Sequence, residues 1–148
     1  MNTALQKIET FNKESGLLNN GYDELKEAAY LIEEALEDLE LTALAIALGA
    51  KDLKDSPKLL ARHIMSFVAV KDTTEKVNII DKHLDSIVFN IGGLLKQDLT
   101  VEQIALGLNI VADANLTKLT VGLDAEGKQM KPKDFIPPEE TLKKALSL

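Results

Sequence analysis

The feature that most constrains this chain is a long helical repeat of aliphatic residues. Val77, Ile80, Leu84, Ile87, Val88, Ile91 and Leu95 recur at spacings of three and four. Such spacing gathers them on one stripe of a helix, whereas a strand would scatter them over two faces. The stripe predicts a helix opened by Asp72 or Thr73 and running through Lys96. Composition agrees: the chain is 45% apolar but only 4% aromatic, so its core must be built of Leu, Ile, Val and Ala. Leu and Ala lose little freedom in a helix. Four prolines and eight glycines are too few for a turn-rich β sandwich. With 148 residues and no cysteine, the chain fits one domain and can form neither disulfides nor thiolate zinc sites.

The remaining punctuation predicts further helices. Leu5, Ile8 and Phe11 mark a short amphipathic helix packed on the body. Asp23 is an N-cap for a long helix to Gly49, with Ile32, Ala35, Leu36, Leu39, Ala43 and Ile46 on one face. Beyond Leu41 this helix is apolar nearly all round, as at the centre of a bundle. Ser56 and Pro57 read as N-cap and first residue of a helix to about Val70. Thr100-Val101-Glu102-Gln103 has capping-box form and opens a helix to about Lys118. A turn at Asp124–Gly127, then Lys131-Pro132 and Pro137-Pro138, leads to a last short helix from Glu139 to Leu148. The expected fold is all-α, a four- to five-helix bundle completed by oligomerisation. It is read as a single domain over 1–148, with 119–138 as a lysine-bearing tail.

Net charge of −7 disfavours nucleic acid and anionic lipid as partners. The N-terminal residues have no apolar segment of signal-peptide type, and the longest apolar stretch, Ala43 to Gly49, is too short to span a bilayer. Together with the lack of cysteine, this sets the expectation of a cytoplasmic protein that engages neither membrane nor nucleic acid.

Three constellations carry possible chemistry. Glu33, Glu34 and Glu37 are spaced to present oxygens to one region of a helix. Like charges so placed repel unless a cation lies between them, and Mg²⁺ favours oxygen ligands. The alternative is a solvated acidic face. Asp81 and Asp85, one turn apart, border the aliphatic stripe of the long repeat. An ionised carboxylate entering a bundle interior needs a partner or a metal; the alternative is surface pairing with Lys82 and other lysines. His63 and His83 read as exposed or packing residues. Last, Asn115 and Lys118 stand at a helix end, followed by Lys128, Lys131 and Lys133, a cationic tail in an acidic chain. Such a tail suits an anionic ligand, although scattered charge on an ordinary tail is the plainer reading.

In this order and placement, the motifs resemble those of the all-α nucleoside triphosphate pyrophosphohydrolases, the MazG-like superfamily that includes dimeric dUTPases and phosphoribosyl-ATP pyrophosphohydrolase. The likeness runs from about residue 30 to 138. Glu33, Glu34 and Glu37 match the family's E-E-x-x-E, and Asp85 matches the end of its E-x-x-D. Ala114-Asn115-Leu116-Thr117-Lys118-Leu119 resembles its helix end, and Gly127-Lys128 to Pro138 its tail. Two departures are visible. Lys82 stands where the second motif has glutamate, a role Asp81 can assume. The stretch from Glu37 to Asp81 is longer than in the family, with the helix after Pro57 as the added element, for oligomer contacts or as a lid.

The resemblance implies a hydrolase that converts a nucleoside triphosphate to its monophosphate and pyrophosphate. Glu33, Glu34, Glu37, Asp81 and Asp85 would bind Mg²⁺, or Mn²⁺ in its place. Glu33 or Glu34 would orient the attacking water. Asn115 and Lys118 would contact substrate, and Lys128 and Lys131 would fold over its phosphates. Phe89 could flank a base but reads more simply as core. The implied partners are the nucleotide and further copies of the chain, as a homodimer or homotetramer. A different class also fits the residues: a non-catalytic acidic module that binds a protein through an apolar groove. A di-iron bundle does not, because neither His63 nor His83 has a glutamate three residues before it.

Overall fold

A computed structural model describes residues 3–125 and 127–148. The described residues are all-helical, with seven α-helices and no strands. The helices are α1 (Ala4–Glu14), α2 (Glu24–Leu36), α3 (Thr42–Ala47), α4 (Pro57–Met65), α5 (Lys76–Leu95), α6 (Val101–Thr117) and α7 (Glu139–Leu146). The chain divides into two compact units, one of Met1–Gly21 with Ile80–Leu148 and the other of Tyr22–Ile79.

In the unit of Tyr22–Ile79, α2 packs on α4. Asp23 caps α2 by accepting from the N–H groups of Leu25 and Lys26, and Ser56 caps α4 by accepting from Leu59 N–H. Leu41, Ala45, Ala50 and Leu60 form the buried core, flanked by Leu36, Leu48, Leu53 and Ile64. The expected long helix from Asp23 to Gly49 is broken. Glu37 leaves helical geometry at ψ 144°, and Asp38 takes a left-handed φ of 62°. Aspartate tolerates that conformation better than most residues. The chain restarts at α3, where the Glu40 carboxylate accepts from Thr42 N–H at 3.0 Å. The break redistributes the expected apolar face: Ile32 and Leu36 are half-buried, while Ala35, Leu39, Ala43 and Ile46 are exposed. The helix after Pro57 ends at Met65, short of Val70. His63 packs edge-on against Phe67 and lies 3.1 Å from the Leu48 carbonyl through Nε2, a packing histidine.

In the other unit, α1 and α7 both pack on α6. The capping boxes at Thr3–Gln6 and Thr100–Gln103 both form. Lys7 reaches from α1 to Asp113 on α6 at 2.7 Å. Gly107 faces α7, where a Cβ would make ordinary contact with Leu142 at 3.5 Å. The expected turn after residue 123 closes through Gly127 N–H to Asp124 C=O, with Glu126 outside the described residues.

The boundary between the units falls within α5. This helix starts at Lys76, later than the expected cap, because the Glu75 carbonyl accepts its first bonds, from Asn78 and Ile79. Its aliphatic stripe is helical as expected but enters no core: α5 has no buried residue. Val77, Ile80, Leu84, Ile87, Val88, Ile91 and Leu95 are all exposed. Phe89, read as core, is 78% exposed. No helix among the described residues is long and apolar enough to cross a membrane.

Candidate functional site

The last turn of α2 determines the acidic cluster. Glu33 is on the same helix face as Ala29, one turn earlier, and these two are the buried residues of α2. Glu34 follows it toward solvent. Glu37 is not inside a helix, as the spacing alone suggests, but forms the C-cap. Its N–H still donates to the Glu33 carbonyl at 3.2 Å, which keeps it one turn above Glu33. One carboxylate oxygen from each of Glu33, Glu34 and Glu37 lies within 4.8 Å of the other two. Glu33 is 8% exposed, while Glu34 and Glu37 are open to solvent.

This donor set fits a hard divalent cation. Three carboxylates supply oxygen ligands only, with solvent access on one side for waters or phosphate oxygens. Oxygens on one Mg²⁺ stand at most about 4.2 Å apart, given bonds of 2.0–2.1 Å, so small side-chain rotations close the observed spacing. Were an ion to bind, the buried Glu33 would be the constrained ligand and the exposed Glu34 and Glu37 the adjustable ones.

Asp81 and Asp85 are exposed on α5, in the unit that holds the C-terminal half of the chain. Among the described residues, the groups of three or more that could ligate a metal reduce to Glu33, Glu34 and Glu37. The two aspartates are one turn apart, as the sequence implies, but the aliphatic stripe that they border is exposed and gives them no bundle interior to enter. His83, also on α5, is half-buried.

The end of α6 and the tail bring together most of the expected cationic residues. Lys118 Nζ donates to Asn115 Oδ1 at 2.6 Å. It also sits 5.0 Å from the centre of the Phe135 ring, and Lys131 Nζ is 5.5 Å from the same ring. Lys128 is half-buried at the turn, its N–H donating to Asp124 Oδ1 and its carbonyl accepting from Asp124 N–H. Two residues of the tail to which the sequence reading gave no role arrange it. Phe135 is shared by the two lysines. Gln129 donates through Nε2 to the carbonyls of Lys118, Val121 and Gly122, at 2.8, 2.6 and 3.2 Å. Those carbonyls follow the end of α6, where helical partners run out, and Gln129 ties the returning tail to them. Phe135 had a weak signal in the Lys-Pro…Phe spacing. Gln129 had none, since its role exists only once the tail has folded back.

No protein-family model matches this chain, and neither the curated proteins nor the solved structures yield a match.

Proposed function

We propose that the chain is a Mg²⁺-dependent nucleoside triphosphate pyrophosphohydrolase of MazG-like type, yielding a nucleoside monophosphate and pyrophosphate. The observation that carries this reading is the convergence of the Glu33, Glu34 and Glu37 oxygens within 4.8 Å. A solvated acidic face would let these side chains spread apart to relieve repulsion. The cluster at Asn115, Lys118 and Lys131 supports the same reading, because it offers cations and an amide to a polyphosphate. Bound at the glutamates, Mg²⁺, or Mn²⁺ in its place, would supply charge neutralisation and a water of lowered pKa.

The residues divide the work. Glu33, held by burial, fixes the site; Glu34 and Glu37 complete its oxygen shell. Glu33 or Glu34 orients the attacking water toward the α-phosphorus through a carboxylate oxygen. Lys118 and Lys131 offset the negative charge that accumulates on the departing pyrophosphate, with Asn115 directing the Lys118 ammonium and Lys128 assisting from the turn. Asp85 and Asp81 are the further metal-binding carboxylates that the resemblance implies, and the exposed stripe of α5 docks on a second copy of the chain in a homodimer or homotetramer. The site is that of a cytoplasmic, nucleotide-pool enzyme.

Incubation of the purified protein with Mg²⁺ and a panel of ribo- and deoxyribonucleoside triphosphates tests this reading. Monophosphate and pyrophosphate should appear in equal amounts from at least one of them. Stable triphosphates across the panel would remove the reading. The exposed aliphatic stripe of α5 also fits a second reading, a non-catalytic module that binds a protein partner through that face; such a module hydrolyses nothing and gains no stability from divalent ions.

A further inference from the structure

We propose that Asn20–Gly21 is a self-modifying site: the backbone nitrogen of Gly21 attacks the Asn20 side chain and converts it, through a succinimide, to isoaspartate and aspartate. The pair lies on the connection from α1 to α2, at the end of a single 3-10 turn over Leu17–Asn20. Every residue from 18 to 23 is exposed. Gly21 has φ 70° and ψ 179°, a conformation that belongs essentially to glycine. The fold therefore demands, directly after Asn20, the one residue with no side chain to obstruct attack. A Cβ built on Gly21 would meet nothing within 4 Å, so the space around the pair is open.

The other described asparagines are held differently. Asn12, Asn78, Asn90, Asn109 and Asn115 lie inside α1, α5 and α6. There the following N–H points along the helix and cannot turn onto the side chain without breaking the ladder. Asn12 and Asn109 also donate through Nδ2 to the Ile8 and Ala105 carbonyls, at 2.8 and 2.9 Å. Asn19 is exposed, but the residue after it carries a side chain. The turn that ends at Asn20 restrains it weakly, because 3-10 hydrogen bonds have poorer geometry than α-helical ones.

In the reaction, Gly21 N bonds to Asn20 Cγ and gives up its proton. The Cγ–Nδ2 bond breaks, and Nδ2 leaves with that proton as ammonia. Water then opens the ring, and nothing is oxidised or reduced. Attack at Cγ restores the main chain and leaves aspartate. Attack at the main-chain carbonyl carbon of Asn20 leaves isoaspartate, with the backbone rerouted through Cγ. Either product adds a negative charge on the approach to Asp23, the cap of α2.

The test is incubation of the full folded chain in mildly alkaline buffer, beside a synthetic peptide of residues 14–26. Proteolysis and mass spectrometry then distinguish amide, aspartate and isoaspartate. Asn20 should convert ahead of every other asparagine, mostly to isoaspartate, and faster as pH rises, since the attacking nitrogen must lose its proton. The folded chain should lag the peptide by no more than about tenfold, an opening cost of about 1.4 kcal/mol for an exposed loop. An isoaspartyl methyltransferase with labelled S-adenosylmethionine should label aged chain but not fresh chain. Asn20→Gln, whose longer side chain must close a larger ring, should take up no label, whereas Asn19→Gln should label like wild type. An Asn20 amide that outlasts the peptide's by far more than that margin, conversion only in urea, or earlier conversion of a helical asparagine would each overturn the proposal.

Discussion

The core around Leu60 and the long helix α5 are both rich in aliphatic residues at helical spacing, yet they end in opposite environments. Leu60, Ala45 and Ala61 are fully buried, and Leu41 and Ala50 nearly so. On α5, not one of twenty residues is buried, and Val88 is 65% exposed. Periodicity states which face of a helix is apolar. It does not state where the surface that covers the face comes from. The acidic cluster belongs to the buried regime: Glu33 is anchored beside Ala29 on the packed side of α2, whereas Asp81 and Asp85 ride on the exposed helix.

The largest expected effect breaks this contrast most cleanly. Leu60→Ala should cost about 2–5 kcal/mol in urea unfolding, as a cavity in a closed core does. Leu84→Ala, 56% exposed, should change stability within about 0.5 kcal/mol in dilute protein. A cost for Leu84→Ala that grows with protein concentration would place a second copy on α5. A large cost at every concentration would refute its exposure.

Metal binding sharpens the comparison next. At about one hundred times its Kd, Mg²⁺ should stabilise the chain by about 2.7 kcal/mol, or roughly 5–10 °C in Tm. Glu37→Ala should lose this gain, and with it turnover by roughly a hundredfold or more, while circular dichroism stays helical. Asp85→Ala should also lose turnover. If instead it leaves turnover intact, α5 is excluded from the chemistry and the glutamates act without it.

The smallest effect concerns the restart at α3. The hydroxyl and backbone N–H of Thr42 hold the Glu40 carboxyl below its ordinary pKa. A lowered carboxyl contributes stability that is complete above its unfolded pKa and is lost as pH falls through the folded value. Glu40→Ala should therefore be less stable than wild type at pH 7, and the two should converge in strong acid. A gap of constant size at both pH values would assign Glu40 no capping role.

Much of this architecture was legible in the residues. Helix starts at Ser56 and Thr100 follow from hydroxyl caps, and those of α1 and α6 are reinforced by glutamine three residues later. The break after Leu36 was not legible, because no glycine or proline marks it. It depends on Asp38 accepting a left-handed conformation and on Glu40 capping the next helix, both tertiary choices among acidic residues that also suit a helix. The glutamate cluster was legible despite this error, since Glu37 keeps its bond to the Glu33 carbonyl as the last turn closes. The Lys118–Phe135–Lys131 arrangement was half legible: the lysines stood out by charge, but the shared ring needed the folded tail.

The most direct measurement is titration with paramagnetic Mn²⁺, read as line broadening of assigned side-chain carboxyl resonances. The first equivalents should broaden Glu33, Glu34 and Glu37 together, ahead of the other acidic residues. Broadening spread evenly over surface carboxylates, with those three no different from the rest, would mean that they share no cation site.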